Sequence, residues 1–165
     1  MMLALKTAQP GDIETVAAIF RRAIIDMDAK GIFQWDDIYP SKADLRGDID
    51  NKEMFLICNE ELIVGVVVLN NRLDEEYAQG DWFFEEPAAV HRLCIDPVCQ
   101  QKGYGRQAIL LAEAALKERG FQSVRLDAFS QNPHALRLYE SLGYRRAGEV
   151  HYRKGLFFLY EKSLL

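Results

Sequence analysis

The chain has 165 residues, of which 49% are hydrophobic and 27% charged, and its net charge at pH 7 is −5. This length suits one globular domain, because a second domain would have too few residues to bury a core of its own. The negative charge disfavours binding to the phosphate backbone of nucleic acid. No apolar run approaches the roughly 20 residues that span a bilayer, and the short apolar start is not expected to act as a signal peptide. We therefore expect a single domain over residues 1–165, with no nucleic-acid partner and no membrane partner.

The first half of the chain predicts a strand, two helices and a strand hairpin. The first helix opens at Pro10-Gly11-Asp12, continues with apolar residues spaced three and four apart, and ends at Gly31. Ser41 is a suitable cap for the second helix. In chain order the predicted elements are a strand at 3–7, a helix between residues 10 and 31, an aromatic loop at 33–40, a helix at 41–49, and hairpin strands at 54–58 and 62–69.

The second half alternates strands with two amphipathic helices. After a polar and aromatic connection at 70–87, the predicted elements are a strand at 88–95, a helix at 105–119, a strand at 123–129, a helix at 133–142, and strands at 144–150 and 156–163. Gly120 and Gly143 follow the two helices at the position that glycine favours. The complete order is β-α-α-β-β-β-α-β-α-β-β, which predicts an α/β fold with a mixed sheet rather than a regular doubly wound one.

The three cysteines are Cys58, Cys94 and Cys99. An odd number without a CxxC pair or interleaved histidines predicts neither a disulfide framework nor a zinc site. Because unpaired cysteines suit a reducing compartment, we expect the protein to be cytoplasmic.

The loop between the strand at 88–95 and the helix at 105–119 has the features of an anion site. Gly103 and Gly105 stand one residue apart immediately before the helix. Glycines allow consecutive backbone N–H groups to turn toward one point, and the N-terminus of a helix adds a partial positive charge. Lys102 and Arg106 supply mobile positive charge in an otherwise acidic chain. The segment therefore predicts a pyrophosphate-binding turn.

One interpretation of this turn is a dinucleotide-binding oxidoreductase. Residues 103–108 satisfy the pattern GxGxx[GA], and Asp127 lies about 20 residues further on, where that fold places a ribose-binding acid. In that fold, however, the first glycine directly follows its strand, whereas residues 96–102 intervene here. Only one helical crossover follows. We regard this interpretation as a remote alternative.

Two segments together resemble another family. Residues 100–105, QQKGYG, match the pattern [QR]xxGx[GA], and residues 132–144, NPHALRLYESLGY, resemble NxxAxxxYxxxGF. Both patterns are typical of the GCN5-related N-acetyltransferase (GNAT) family, and the likeness is firmest over residues 88–144. The resemblance implies a GNAT-like fold, acetyl-CoA as cosubstrate without a metal, and transfer of an acetyl group to a primary amine. A homodimer is expected from the resemblance alone.

The resemblance also implies which residues bind the cofactor. The loop amides would bind the pyrophosphate, and the backbone of the preceding strand would pair with the pantetheine arm as an added strand does. Asn132, followed by Pro133, is in addition a good helix cap. The implied cofactor-binding residues are Leu93, Cys94, Ile95, Gln100, Gln101, Lys102, Gly103, Tyr104, Gly105, Arg106, Asn132 and Tyr139.

Two residues are candidates for proton transfer. Tyr139 would protonate the departing thiolate, because a phenol with a pKa near ~10 can donate to a thiolate whose acid has a pKa near ~8.5. The alternative is an ordinary half-buried helix tyrosine. His91 is the candidate base, in a position where arylalkylamine N-acetyltransferases of this family carry a strand histidine. Regular alternation would place it on the same face as Leu93 and Ile95, unless a bulge intervenes. A purely structural histidine, Glu85 or Glu86, or a water acting as base are the alternatives.

The acceptor is expected to be an amine-bearing small molecule or peptide. Family members build the acceptor pocket from the first two helices and the loops around the sheet. That implicates Phe33, Trp35, Tyr39, Trp82 and Glu85, although the aromatic residues could equally cover the core. Acidic residues at 36–37 and 74–86 either form solvated loops or a negative rim that attracts a cationic amine.

Two further alternatives remain. The chain could be a non-catalytic GNAT-like module that binds acyl-CoA as a sensor or structural part. A route through an acyl-cysteine on Cys94 or Cys99 is disfavoured, because no histidine and acid pair accompanies either residue.

Overall fold

The computed structural model describes residues 2–165, so Met1 of the expected domain lies outside the described residues. The strands are β1 (Leu3–Thr7), β2 (Met54–Asn59), β3 (Leu62–Asn70), β4 (Pro87–Ile95), β5 (Ser123–Phe129), β6 (Arg145–Tyr152) and β7 (Gly155–Ser163). The α-helices are α1 (Ile13–Ala29), α2 (Lys42–Asp50), α3 (Tyr104–Glu118) and α4 (Pro133–Ser141). Short 3₁₀ helices lie at Pro10–Asp12, Glu75–Gln79 and Pro97–Cys99. The predicted order of strands and α-helices is confirmed.

The strands form one sheet in the order β1-β2-β3-β4-β5-β7-β6. Every neighbouring pair is antiparallel except β4 and β5, which are parallel. This is the mixed α/β sheet that the element order predicts. The connection from β4 to β5 carries α3, as a parallel crossover requires.

The helices cover the sheet on both faces. On one face, α1 and α2 pack onto a core that includes Val16, Phe20 and Leu45. On the other face, α3 and α4 pack onto a core that includes Ile109 and Leu116. The two cores bury both sides of the central strands, which explains why β3 is an almost continuous apolar run.

Two helix starts are held by the side chains that the sequence identifies as caps. The Ser41 hydroxyl accepts a hydrogen bond from the Asp44 N–H, and the Asp44 carboxylate accepts one from the Ser41 N–H, which completes a capping box. The Asn132 side-chain oxygen accepts from the Ala135 N–H at the start of α4, with Pro133 as the first helical residue. Both caps set the points at which loops enter helices beside the cavity described below.

The pairing of β4 with β5 is short. Residues 87–89 pair with residues 123–125, yet β4 continues to Ile95 and β5 to Phe129. The carboxyl-terminal halves of these central strands therefore share no ladder. The sheet has a gap at this point, and the edge of β4 that faces β5 is free of strand partners there.

A β-bulge interrupts β4 before its end. The register with β3 shifts between Val66, which pairs with Cys94, and Val68, which pairs with His91, and Arg92 has a φ of +53°. Val90, Leu93 and Ile95 all contact the core beneath α3 and α4, whereas Cys94 lies in the opposite core.

The bulge corrects one expectation from the sequence. His91 does not share a face with Leu93 and Ile95, because the extra residue reverses the alternation between them. The strand thus presents His91 to the side of α1 and α2, and the two apolar residues to the side of α3 and α4.

β3 and β4 approach each other closely at Gly65. A Cβ built on Gly65 would lie 2.4 Å from the Cys94 carbonyl oxygen. We expect Gly65→Ala to lower the free energy of unfolding by about 1–3 kcal/mol, because the backbone must shift to relieve the overlap. Gly47→Ala in α2 is the matched control, since a Cβ there meets nothing within 4 Å and should stabilise the helix slightly. Urea denaturation measures both, and an undiminished stability of Gly65→Ala would contradict the close approach.

Candidate active site

A cavity of about 1080 Å³ lies at the gap between β4 and β5. Its walls come from residues 90–95 of β4, residues 127–129 of β5, the start of α3 and the inner side of α4. The loop between α1 and α2 and the turn between β6 and β7 close its far end. A cavity of this volume can hold an extended ligand together with a second small molecule.

The turn between β4 and α3 forms one end of the cavity. The 3₁₀ helix at Pro97–Cys99 carries the chain away from β4, and the Gln100 side-chain amide returns to donate to the Ile95 carbonyl at 3.3 Å. Gly103 caps α3 with a φ of +75°, a left-handed conformation that glycine adopts without strain. The side chain of Gln100 therefore ties the turn to the strand end that precedes it.

Several backbone amides of this turn have no acceptor within the described residues 2–165. They are the N–H groups of Gln101, Lys102, Gly103, Gly105 and Arg106. A Cβ on Gly103 would meet nothing within 4 Å, so the space in front of the turn is open. Unpaired amides at the start of a long helix are suited to bind the oxygens of a diphosphate.

Tyr139 lies on α4 and lines the cavity, although only 7% of the residue is exposed. Its hydroxyl has no hydrogen-bond partner among the residues that the structure describes. Burial, and after it the charge of Asp127, raises the pKa of the Tyr139 phenol well above its ordinary value. The phenol is therefore protonated at neutral pH and has its proton available for a ligand.

The hydrogen bonds of His91 determine which ring nitrogen carries its proton. Nε2 lies 3.1 Å from both the Asn70 side-chain oxygen and the Arg72 carbonyl oxygen. The Asn70 oxygen is identified by its other contacts, because it accepts from the Arg72 N–H while its nitrogen donates to Glu53. Two acceptors at Nε2 require Nε2–H, so Nδ1 is the basic nitrogen of neutral His91.

Arg92 joins the bulge to the acceptor end of the cavity. Its guanidinium makes two 2.8 Å hydrogen bonds to the Asp48 carboxylate on α2, and a third hydrogen bond to the Tyr39 hydroxyl. The Arg92 guanidinium is thus already paired within the cavity wall. Its role is to hold the loop between α1 and α2 against β4.

The same loop is fastened to the opposite wall. The Asp36 carboxylate accepts from Arg153 at 2.8 Å and Lys154 at 3.4 Å, both in the turn between β6 and β7. The hydrogen bond from Arg153 holds the pKa of Asp36 below its usual range. In addition, the Asn132 side-chain amide donates to the Gln34 oxygen at 2.9 Å. These contacts hold the loop between α1 and α2 across the cavity.

The sequence implicates Asp127 only through the dinucleotide-binding alternative. It lines the cavity from β5, and its carboxylate accepts a 2.6 Å hydrogen bond from the Tyr77 hydroxyl. Burial raises the pKa of Asp127 above its ordinary value. The available signal was an acid in the middle of an otherwise largely apolar strand, SVRLDAF.

A family model described as "Acetyltransferase (GNAT) family" matches residues 21–144. The chain belongs to the GNAT acetyltransferase family. The matched range contains α3, α4, the turn between β4 and α3, and the whole gap between β4 and β5.

Two curated relatives named mycothiol acetyltransferase resemble the chain over most of its length. The protein from Thermobispora bispora is 30% identical over 152 residues, which are 91% of this chain and 49% of that protein. The protein from Thermomonospora curvata is 29% identical over 148 residues, which are 87% of this chain and 44% of that protein. The chain thus spans about half the length of these relatives.

Solved structures confirm the GNAT fold. A GNAT acetyltransferase from Streptococcus agalactiae superposes with a TM-score of 0.85 at 19% identity, covering 98% of this chain and 95% of the other. The PaiA N-acetyltransferase from Thermoplasma acidophilum, solved with coenzyme A, has a TM-score of 0.74 at 19% identity and covers 99% of each chain. At these identities the likeness concerns the fold.

Most of the residues that the GNAT resemblance implicates line the cavity. They are Trp35, Tyr39, His91, Leu93, Cys94, Ile95, Gln100, Gln101, Gly103, Tyr104, Gly105, Arg106, Asn132 and Tyr139. Cys94 contributes from a buried position, and burial raises the pKa of its thiol. That shift disfavours a thiolate nucleophile at Cys94 and hence an acyl-cysteine route through this residue.

Four implicated residues lie outside the cavity lining, namely Phe33, Trp82, Glu85 and Lys102. The Trp82 indole N–H donates to the Tyr77 carbonyl at 2.6 Å, and the ring stacks on Tyr77. Trp82 therefore belongs to a packed cluster behind Asp127. Phe33 is 53% exposed and Glu85 is exposed, so both face solvent instead of the acceptor site.

Within residues 2–165, no helix combines the length and the apolar character needed to cross a membrane. No group of three or more histidine, cysteine, aspartate or glutamate side chains in that range is arranged to hold a metal ion.

The turn is anchored to α1 through Asp96, at the end of β4. Its carboxylate accepts two hydrogen bonds from the Arg22 guanidinium, at 2.7 and 3.1 Å, and the contact lowers the pKa of Asp96 below its ordinary value of 3.8. Because the folded pKa is the lower one, the unfolded chain binds more protons in acid. This contribution to stability is therefore present above pH ~4–5 and is lost as the pH falls through the folded pKa.

We expect Asp96→Asn to remove part of this acid sensitivity. At pH 7 the variant should be less stable than the wild type by about 1 kcal/mol, a value reduced by the exposure of Arg22. At pH 3 the two proteins should differ less. Urea denaturation at both pH values measures the difference, and equal differences at the two values would show that the ion pair is not the cause.

Proposed function

We propose that this protein transfers an acetyl group from acetyl-CoA to a primary amine. One arrangement carries the proposal: a turn with unpaired amides stands at one end of the sheet gap, and the hydroxyl of Tyr139 projects from α4 without a partner along the same cavity. The turn suits a diphosphate, and the phenol suits a leaving thiolate. The GNAT membership of the chain supports the same assignment.

The residues present fit acetyl-CoA as the cosubstrate. The amides of the turn would bind the diphosphate, with Arg106 beside them. The unpaired edge of β4 at Leu93–Ile95 would hydrogen-bond the pantetheine arm, because the gap leaves that edge without a strand. Two solved structures of this fold, from Thermoplasma acidophilum and Salmonella typhimurium, contain coenzyme A and acetyl-CoA respectively.

In the proposed reaction the amine nitrogen attacks the thioester carbonyl. The new C–N bond forms, the C–S bond breaks, and Tyr139 donates its proton to the departing sulfur. The raised pKa of the phenol does not oppose this step, because a thiolate leaving into the same buried space is desolvated and gains proton affinity too. Tyr139 then recovers a proton from the attacking nitrogen or from solvent.

We assign the removal of the ammonium proton to Nδ1 of His91, directly or through a water. Nε2 is already engaged as a donor to Asn70 and Arg72, which fixes the ring and leaves Nδ1 basic. Glu85 and Glu86 are exposed and lie outside the cavity lining. The proposal therefore favours His91 over them.

The acceptor end lies beneath Trp35 and Tyr39, which line the cavity. The proposed acceptor is a small molecule or peptide that presents a primary amine. The name of the curated relatives supports acetyl transfer, whereas their particular acceptor is not carried over, since the chain spans about half of their length. We propose a cytoplasmic location because all three cysteines are buried free thiols.

Substitution of Gly105 tests the cofactor site. A Cβ there would lie 3.6 Å from Leu138 and 3.9 Å from Ile95, and because both residues line the cavity, the larger side chain of Gly105→Val would narrow it beside the turn. We expect titration calorimetry to show coenzyme A binding weakened by about 10-fold or more, equivalent to about 1.4 kcal/mol. Gly47→Ala, remote in α2, should bind as the wild type does. Absence of coenzyme A binding by the wild type would refute the cofactor assignment.

Substitution of Tyr139 tests catalysis. Tyr139→Phe should lower kcat for thiol release from acetyl-CoA by about 100-fold or more in a screen of primary amines, while coenzyme A affinity persists. The matched control is Tyr144→Phe, because Tyr144 is a neighbouring buried tyrosine whose hydroxyl donates to Glu113 away from the cavity. A wild-type rate in Tyr139→Phe would exclude the general-acid role. Coenzyme A binding without transfer to any amine would instead favour a non-catalytic binding module.

A further inference from the structure

We propose that Asp127 is the carboxylate that binds the acceptor amine, and that the acceptors are therefore alkylamines carrying a positive charge at neutral pH. Aryl amines, which are neutral at that pH, and amino acids, which carry a carboxylate beside the amine, are disfavoured. This inference rests on the proposed acetyl transfer and names the class of its acceptor.

The fold places Asp127 on the same side of the gap as His91. On β5 its neighbours Leu126 and Ala128 pack into the core beneath α3 and α4, so Asp127 faces the opposite side. His91 faces that side as well, because its neighbour Val90 contacts the core beneath α3 and α4. The two residues thus lie on the two strands that border the gap, and both line the cavity.

The carboxylate of Asp127 is only partly used by the protein. Oδ2 accepts the 2.6 Å hydrogen bond from Tyr77, whereas Oδ1 has no partner among residues 2–165. Tyr77 is itself fully buried and stacked on Trp82, so one carboxylate oxygen is held rigidly. The other is left for a ligand. Burial disfavours the ionised form of Asp127, and an ammonium group beside it would offset that cost.

Asp127 is close to the site of chemistry. Burial raises the pKa of Tyr139, Tyr39 and Tyr152, and the negative charge of Asp127 adds to the increase. Asp127 and Tyr139 line one cavity from β5 and α4, and Tyr39 lines it from the loop between α1 and α2. An amine held by Asp127 is therefore held near the carbonyl that it attacks.

The other charges at this end leave the cavity negative. The lining cations at this end are already paired with carboxylates: Arg92 with Asp48, Lys30 with Asp26, and both Arg153 and Lys154 with Asp36. By contrast, the lining carboxylates of Asp74, Glu76 and Asp127 have no ion-pair partner in the described chain. Asp74 accepts a hydrogen bond from the Tyr152 hydroxyl. The resulting field attracts a cation and repels an acceptor that carries its own carboxylate.

The proton balance is compatible with a carboxylate that does not itself titrate. The ammonium arrives on Asp127, loses one proton to His91, and attacks as the neutral amine. Positive charge then develops on the nitrogen as the C–N bond forms, and Asp127 stabilises that charge. The nitrogen releases a second proton, the thiol gains one through Tyr139, and one proton leaves to solvent overall.

Three amines of similar size test the acceptor class: benzylamine, aniline and phenylglycine. We expect the wild type to use benzylamine with a kcat/KM at least about 10-fold above the values for the other two. Asp127→Asn, which can still accept the Tyr77 hydrogen bond, should lower kcat/KM for benzylamine by about 100-fold, chiefly through KM, with coenzyme A affinity unchanged. Asp50→Asn in α2 is the matched control, because Asp50 is exposed and lies outside the cavity lining, and it should leave both values unchanged.

Binding measurements separate this inference from the proposed reaction. Calorimetry of benzylamine with the complex of protein and coenzyme A should show binding that Asp127→Asn weakens by about 100-fold. Binding of this kind without any thiol release would refute acetyl transfer while supporting Asp127 as the amine site. Conversely, equal wild-type use of aniline or phenylglycine, or full benzylamine activity in Asp127→Asn, would refute the role of Asp127 and leave acetyl transfer standing.

Discussion

The ladder between β4 and β5 ends after residues 87–89 have paired with residues 123–125, although both strands continue. These are central strands of a seven-stranded sheet, where unpaired backbone groups would otherwise be costly. The parting of the strands opens the cavity and leaves the edge of β4 available to an extended ligand. It also places Asp127 of β5 on the cavity wall. The turn between β4 and α3, the helix α4 and the loop between α1 and α2 all border the cavity that this gap opens.

The bulge at Arg92 complements the gap because side chains before and after it face opposite sides of the sheet. After the bulge, Leu93 and Ile95 face α3 and α4, beside the proposed cofactor path. On its other side, His91 faces α1 and α2, where the acceptor is proposed to bind. Arg92 itself takes a positive φ and secures the acceptor wall through Asp48. A regular strand would have placed His91 on the cofactor side.

The sequence predicts the order of elements because each signal is local: apolar spacing, caps and glycines act within a few residues. The two motif segments are predictable for the same reason, and they supply Gly103 and Tyr139. The bulge depends on how β4 aligns with β3, and a positive φ at a non-glycine residue has no local signal. Trp82 is implicated because the family resemblance places loops around the sheet in the acceptor pocket, yet in the structure it stacks on Tyr77 in a separate cluster. The role proposed for Asp127 depends on the gap between β4 and β5, two strands that meet only in the fold.

The two ends of the cavity have opposite electrostatic character, and this opposition is compatible with an overall charge of −5. At the turn, unpaired amides and the N-terminus of α3 favour a diphosphate. At the far end, every lining cation of the described wall is bound to a carboxylate, and Asp127 retains a free oxygen. This arrangement supports the proposed placement of a diphosphate at one end and of a cationic amine at the other. The hydroxyl of Tyr139 lies on a buried helix face of the same cavity, where the proposed thioester and amine would meet with the least competition from water.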